Sequence, residues 1–563
     1  MKFDDTDEAN LLINQFSSVF TSEPEGEIPR INQRTNKNIP DLSITLETVK
    51  DALKEININK SCGPDNLHPR LLLELADLIA LPVTILFNAT LKSGNLPKDW
   101  KMAYITGIFK KGSKHLPENY RPISLTSILC KILEKFVRNS VINHLIANGL
   151  LSKKQFGFVS GRSTLTQLLY YLDECIEKIA NGNVVDVIYL DFAKAFDTVP
   201  HRRLLGKLES YGIRGKLLKW IKSFLEERKQ QVIVNGSKSS IAPVISGIPQ
   251  GTVLGPVLFV IYINDLLELI SSDGFMFADD TKIFRQITSR DDAIDLQEDL
   301  RKLEEWSSIW LLKFNADKCH VLTLGKFQDI KHAKKYTLCN HELEHVPTEK
   351  DLGVTIDEEL KFDEHITRKI QVANGIVGQI RRSFSYLNSE TFRRLYVAFV
   401  RPHLEYCQAA WSPHLLRYIN ALENVQIRAT KLVDGLGNLD YPERLKRINL
   451  PTLAFRRRRG DMIEIFKHFK SYDKSTLSPS FKPKNRPSRQ HKLQLYHPHS
   501  NDGARGIKTN SFYHRVPPVW NNLPKNVVEV ENVNIFKSAL DKHWENDPHK
   551  FDHRVHNNLD EHA

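Results

Sequence analysis

Three aspartates offer the most pointed chemistry in this sequence. Asp191 follows the apolar run VVDVIYL, and Asp279 and Asp280 stand together between the apolar stretches 275–277 and 283–284. A charged carboxylate at the end of an apolar strand is costly unless something pairs with it. An Asp-Asp pair at a hairpin tip is, by itself, an ordinary solvated turn. The apolar flanks and the third aspartate favour a site instead. Carboxylates brought close together raise one another's pKa unless a cation neutralises them. Mg²⁺ suits that role, because it takes one or two carboxylates together with waters and substrate phosphates. Two such ions, about 3.5–4 Å apart, activate an attacking hydroxyl and stabilise a leaving oxygen in polymerases and nucleases. Mn²⁺ is an alternative ion for the same oxygen donors.

Other residues could serve a phosphate-bearing ligand. Gln250 and Gly251 lie in a Pro-Gln-Gly turn ahead of an apolar helix. A glycine there lets backbone approach a ligand, and an amide can hydrogen-bond to a base or sugar. Lys110, Lys111 and Arg121 are clustered cations, and an arginine grips phosphate oxygens through two N–H groups at once; a lone surface lysine is more commonly only solvated. Lys194 and Asp197 read as solvated or structural. The run Arg456, Arg457, Arg458 and Arg459 fits a nuclear-targeting patch, an RNA contact or a solvated helix end equally well. The sequence has no G-x-x-x-x-G-K-[ST] phosphate loop, and HPHS lacks metal-ligand spacing.

The elements that must position these residues can be read from periodicity. Leu46, Val49, Leu53 and Ile56 share one helical face after Thr45, and KSCGPDN ends that helix. Long amphipathic helices are predicted around 68–93, 126–148 and 163–180, with the strand-like run KMAYITGIFKKG between the first two. VVDVIYLDF (184–192) reads as a strand buried on both faces. GFMFADDTKIF (274–284) reads as a hairpin with the acidic pair at its tip. A helix over 201–227, the strand QQVIVNG, a helix from about 255 to 270, a helix over 291–312 and the strand CHVLTL (319–324) complete an alternation. Helices on one face of a small antiparallel sheet satisfy that order. From 362 to 435 the pattern is all-helical.

YLDFAKAFDTVPH (189–201), SGIPQGTVLGPVLFVIYINDL (246–266) and FADDTKIF (277–284) follow one another in this order. Around them stand GPDNLHPRLL, NYRPISLTS, QFGFVSGRST, LKFNADKCHVL, KDLGVTID and FYHRVPPVWNNLP. On these stretches the sequence resembles the reverse transcriptases of non-LTR (LINE-type) retrotransposons of the jockey-like group, over roughly residues 45 to 545. The resemblance implies an α+β, right-hand polymerase fold: fingers, a palm with a small antiparallel sheet and a helical thumb, followed by a basic C-terminal region. It implies RNA-directed DNA synthesis under two Mg²⁺ ions, with template RNA, primer or target DNA and dNTPs as partners. By that resemblance Asp191 and Asp279 are metal ligands with Asp280 beside them, and the Phe192 carbonyl is an additional oxygen ligand. Phe196 matches the aromatic that closes the space for a nucleotide 2′-hydroxyl; without the motif it reads as ordinary core. Arg121 and Lys110 match triphosphate-binding positions, as do Gln250 and Gly251 for the nucleotide. Lys318 matches a lysine that protonates the departing pyrophosphate or steadies the triphosphate. Leu352 and Gly353 match the turn that supports the primer end.

Composition bounds the remainder. The 563 residues are 41% apolar, 26% charged and 9% aromatic, which excludes whole-chain disorder and collagen-like repeats and suggests three or four packed units. A formal charge of +12 fits a polyanionic partner. Residues 456–515 hold 15 Lys/Arg against 4 Asp/Glu, a net of +11 and so nearly the whole excess. Tyr513 and Trp520 could stack on unpaired bases there, or be buried in a small helical core. Cys62, Cys130, Cys175, Cys319, Cys339 and Cys407 form no C-x-x-C pair, so neither a disulfide framework nor a zinc knuckle is expected. The acidic N-terminus is no secretory signal, and the most apolar stretch, 256–263, is too short to span a bilayer. An intracellular protein of the nucleus and cytoplasmic ribonucleoprotein is expected, with no membrane partner. The expected division is a linker or remnant over 1–40, fingers and palm over 41–340, primer-grip turn and thumb over 341–435, and a basic nucleic-acid-binding region over 436–563. The fingers begin within about fifty residues of Met1, so no N-terminal endonuclease is expected. The alternative is a truncated, catalytically silent nucleic-acid-binding remnant.

Overall fold

The run VVDVIYL becomes the strand Val184–Leu190, buried along nearly its whole length at the centre of a five-stranded sheet. In this computed structural model residues 4–325, 335–470, 478, 480–485, 490–497 and 506–555 are described. The sheet runs Glu344–His345, His320–Leu324, Val184–Leu190, Asp280–Ile287, Asp273–Phe277. Its inner pairings are antiparallel, as expected, but the edge pair Glu344–His345 runs parallel to His320 and Val321. The sheet is therefore mixed.

Successive side chains of a strand face opposite sides, and here the two sides serve different cores. Ile188, Leu190, Ile283, Ile287 and Val321 enter one core with Leu296, Leu300 and Leu303 of the helix Arg290–Trp310. Val185, Val187, Phe284, Leu322 and Leu324 enter a second with Leu168, Leu169 and Leu172 of the helix Thr164–Ala180. Helices thus cover both faces rather than the single face expected, because a strand apolar in both registers leaves neither face fit for water.

A second sheet joins Tyr120–Leu125, Met102–Phe109, Arg228–Val234 and Ser237–Lys238, with Ala242–Val244 also on the Arg228 strand. Met102–Ile105 runs parallel to Lys229–Val232. The helix Asp5–Ser18 lies on this sheet, placing Ala9, Leu12, Ile13 and Phe16 against Ala103, Ile105 and Val232. Of the stretch expected as a linker or remnant over 1–40, residues 5–18 are therefore a packed helix and no free linker: apolar residues at helical spacing sit among acidic neighbours, and that stripe needs a face to bury. The chain beyond is docked as well, through Glu23–Arg203 (2.6 Å) and the Ile39 N–H on the Gly212 carbonyl (2.9 Å).

After the sheet residues come helices at Asp363–Ser383, Ser389–Leu395, Leu416–Thr430, Tyr441–Ile448 and Leu453–Lys470. They share the second core with the helix Thr164–Ala180. The short helices at Phe512–Arg515, Pro517–Asn521 and Val533–His543 join the same core. Of the Pro-rich basic tract, Arg486 and Arg489 lie outside the described residues. Among the described residues one helix, Ala76–Ser93, is long and apolar enough to cross a membrane. It buries Ala76, Ala80, Val83, Phe87 and Leu91 in the first core.

Candidate active site

Asp191 leaves the central strand one residue beyond its last pair, Leu190 opposite Thr281, and so comes level with Asp280 at the start of the neighbouring strand. Its backbone is fixed on both sides. The Asp191 carbonyl accepts from the Asn315 N–H (2.8 Å), and its own N–H lies 3.4 Å from the Cys319 sulfur. The Phe192 ring is buried and stacks on Phe314 at 4.6 Å. Ala278, at φ +55°, and Asp279 form the two-residue tip between Phe277 and Asp280.

The QFGF stretch clamps that tip. Met276 donates to the Lys154 carbonyl (2.8 Å), and Phe156 donates to the Met276 carbonyl (2.7 Å). The buried Gln155 Oε1 accepts from both the Ala278 N–H (3.0 Å) and the Gly157 N–H (2.7 Å). A Cβ at Gly157 would sit 2.2 Å from the Ala278 nitrogen, so only glycine lets the two segments approach this closely.

Asp191 and Asp280 open onto one cleft of about 300 Å³, shared with Lys111, Lys318, Glu349 and Leu352. Lys318 reaches Asp191 Oδ2 at 3.2 Å. Burial raises the Asp279 carboxyl above its ordinary value, and the Asp191 charge adds to this while Arg121 and Lys110 oppose it. Asp280 shows surface to the cleft, yet the surrounding protein wall, then Asp279, Asp351 and Asp191, push its carboxyl up to about 6. Asp279 is not among the residues lining the cleft, and the three carboxylates do not bring one oxygen each within 4.8 Å of the others. Among the described residues the group that brings three such ligand atoms within 4.8 Å is another one, Asp173, Glu177 and His514.

Of the other expected residues, Lys318 and Leu352 line this cleft, Arg121 and Lys110 stand near enough to act on Asp279 through their charge, and Gln250 lines a separate cavity with Asp197 and Ser124. Lys110 follows the strand Met102–Phe109, and Arg121 pairs across from Ile108 in the adjoining strand. Burial lowers the Lys110 ammonium pKa, with Arg121 and Lys318 adding to it and Asp191 opposing. Phe196 is half-buried, stacked at 4.3 Å on Phe259 and edge-on to Phe158. Gln250 donates to Asp197 Oδ1 (2.9 Å), and its carbonyl accepts from the Ser124 N–H (2.7 Å). Gly251 has φ +102°, and a Cβ there would meet the Ser124 carbonyl at 2.8 Å. Leu352 and Gly353 form the tight turn between Thr348–Asp351 and Val354–Asp357, and the Leu352 carbonyl accepts from the Tyr406 hydroxyl (2.8 Å).

The arginine run behaves differently from an open basic patch. It lies in the core helix Leu453–Lys470, and every side chain has an internal acid nearby. Arg456 forks onto Glu405 (Nη2 at 2.8 Å), Arg458 meets Asp547 (3.0 Å) and Arg459 meets Asp541 (2.7 Å). Arg457 is buried near Glu423 and Asp461. Tyr513 and Trp520 are buried too, which settles them as core rather than base-stacking platforms.

Several supporting residues escape sequence reading. Asp197, read as solvated or structural, takes the structural role by anchoring Gln250, and Gln155, which was not singled out, holds the acidic tip. Lys282, two residues after Asp280, forms a buried ion pair with Asp351, tying the acidic strand to the Leu352–Gly353 turn. The one available signal was position, since each lies inside or beside a motif.

Residues 108–363 match the family described as reverse transcriptase (RNA-dependent DNA polymerase). The chain is similar to the RNA-directed DNA polymerase from mobile element jockey of Drosophila melanogaster, at 30% identity over 411 residues, covering 71% of this chain and 44% of that protein. It is also similar to the probable RNA-directed DNA polymerase from transposon BS of the same species, at 28% over 461 residues, 76% of this chain and 49% of that protein. A third relative is the probable RNA-directed DNA polymerase from its transposon X-element, at 26% over 424 residues, 72% and 46%. The chain thus spans a little under half the length of these relatives. The residues that line the cleft, from Lys111 to Leu352, all fall inside the matched region, and over residues 108–363 the chain is similar to the reverse transcriptase family of RNA-dependent DNA polymerases.

Proposed function

We propose that this chain extends a DNA primer on an RNA template, adding deoxynucleotides by attack of the primer 3′-hydroxyl on the α-phosphate of a bound dNTP. The observation that carries the reading is the ladder that sets Asp191 level with the Asp279–Asp280 tip above a cation-rimmed cleft. In this reading residues 41–340 are fingers and palm, 341–435 the primer-grip turn and thumb, and 436–563 a nucleic-acid-binding region.

The donor set fits Mg²⁺: three carboxylates, all oxygen ligands, two of them raised in pKa by burial and mutual repulsion. Asp191, Asp279 and Asp280 would hold two ions, with the Phe192 carbonyl as a further oxygen. When bound, such ions supply Lewis-acid activation and charge neutralisation at the reacting phosphate. Everything else falls to the chain. Lys110 and Arg121 grip the triphosphate from the neighbouring sheet. The Phe196 ring, braced by Phe259, lies under the sugar and leaves no room for a 2′-hydroxyl. Gln250, held by Asp197, presents the turn whose Gly251 backbone approaches the nucleotide. Lys318, at rest on Asp191, supplies a proton or a positive charge to the departing pyrophosphate. The Leu352–Gly353 turn, braced by Tyr406, supports the primer end.

Primer extension with an RNA template, a DNA primer, dNTPs and Mg²⁺ tests this directly. Extension that disappears in Asp279→Ala is the expected result. Salt-sensitive RNA binding with no extension by the unaltered chain would overturn it in favour of a silent nucleic-acid-binding remnant.

A further inference from the structure

Away from the cleft, two faces of the molecule meet at a group of ligand-type side chains. Asp173 and Glu177 lie four residues apart on the helix Thr164–Ala180 and so share one side of it. His514, in the short helix Phe512–Arg515, meets them from more than 300 residues further on. One ligand atom from each lies within 4.8 Å of the others.

Each of the three is oriented by a partner that leaves one atom over. The Asp173 side chain is only 2% exposed; its Oδ2 accepts from the Ser478 hydroxyl and from the Ser480 N–H (3.3 Å). Its Oδ1 is buried with no hydrogen-bond partner among the described residues. A buried carboxylate oxygen without a partner has lost its water and gained nothing in return, a deficit that a cation would offset. His514 is 8% exposed; its Nδ1 meets the Ser511 hydroxyl at 2.9 Å, which turns Nε2 towards Glu177 Oε1 (3.8 Å). Glu177 Oε2 is held by Lys508 (2.8 Å), and Oε1, also 3.4 Å from the Ser480 hydroxyl, faces the group. A hydrogen bond on the far nitrogen of an imidazole and on the second oxygen of a carboxylate is how proteins set ligands for a metal.

We propose that Asp173, Glu177 and His514 form a Zn²⁺ site that latches the C-terminal region to the helix beside the central strand. Two carboxylates and one imidazole make a borderline donor set, which Zn²⁺ takes in preference to the harder Mg²⁺. Three protein ligands leave room for water, and the ends joined are far apart in the chain, so the ion acts as a cross-link. The site is separate from the Asp191 cleft and does not depend on its chemistry.

The test is zinc stoichiometry and affinity of the full chain, measured by equilibrium dialysis and elemental analysis with millimolar Mg²⁺ present to occupy the cleft. One retained equivalent is expected, with a rise in melting temperature. Affinity should fall at least about tenfold in Glu177→Gln, an isosteric change at a partly exposed position, and likewise in His514→Gln. Where His514→Gln fails to fold, Glu177→Gln and the X-ray absorption spectrum of zinc on the unaltered chain decide. One imidazole in an oxygen-dominated shell supports the latch. Sulfur in the shell, no bound zinc, or unchanged affinity in Glu177→Gln overturns it.

Discussion

The Phe196 ring stacks on Phe259 at 4.3 Å and meets the edge of Phe158, and in the proposed reading that bracing is what keeps it from yielding to a larger sugar. Phe196→Ala removes the ring but keeps the short helix Ala195–Thr198 that carries it. Single-nucleotide incorporation should then accept ribonucleotides at least about tenfold more readily relative to deoxynucleotides, the scale of one small group in a fitted pocket. An unchanged ratio would make the ring plain core. Asp280 carries a second expectation. Its carboxyl is pushed up to about 6, so protons compete with a cation for it as pH falls through that value. Cation affinity measured by calorimetry should decline below about pH 6, and Asp280→Asn should flatten that decline. A profile as steep in the variant would assign the titration elsewhere. The acids themselves were legible because apolar flanks make a carboxylate conspicuous. Their partners were not: Lys318 on Asp191 and Lys282 on Asp351 are joined by strand register and turn placement, which residue type alone does not encode.

At the level of elements, the acidic hairpin depends on the segment that clamps it. Gly157 admits no Cβ without a clash 2.2 Å from the Ala278 nitrogen, which is backbone and cannot rotate away. Gly157→Ala must therefore shift the tip that carries Asp279. Overpacking of this kind costs about 1–3 kcal/mol in stability, while a displacement near 1 Å at a reacting centre costs about 100-fold in rate. Extension should fall far more than melting temperature does; a variant with native extension would show that the hairpin tolerates the shift. The hairpin and the central strand were readable from periodicity, since strand runs bounded by turn residues carry their own signal. The double cover of the sheet was not, although VVDVIYL implied it, because which helix lands on which face is a matter of topology. The helix Asp5–Ser18 was hidden for another reason. Its stripe of Ala9, Leu12, Ile13 and Phe16 is short, sits among acidic residues, and finds its partner only in strands about 90 and 220 residues later.

Across the whole molecule, net charge locates an electrostatic partner less well than it first promises. The +11 of residues 456–515 includes four arginines that face internal acids from a core helix. Excising that segment would remove the helix and with it part of the second core, so its loss could not isolate a nucleic-acid contact. Charge reversal at exposed positions can. Lys482, Lys484 and Lys492 are exposed, and the Lys482 and Lys484 backbone pairs with Tyr496 and Gln494 hold their stretch in place without using the side chains. If they touch phosphate, changing all three to Glu should lower the slope of log affinity against log salt by about 0.7 for each phosphate no longer neutralised on single-stranded RNA. Melting temperature should stay close to that of the unaltered chain, because surface charges contribute little to stability. Arg457→Met should do the reverse. Its guanidinium is buried near Glu423 and Asp461, and removing one partner of a buried charge group costs on the order of 3 kcal/mol, with the salt slope unchanged. Filter binding across a salt series, alongside thermal unfolding of both variants, separates the two roles. A slope that survives the triple reversal would move the RNA-binding surface off these lysines and onto the cation rim of the cleft.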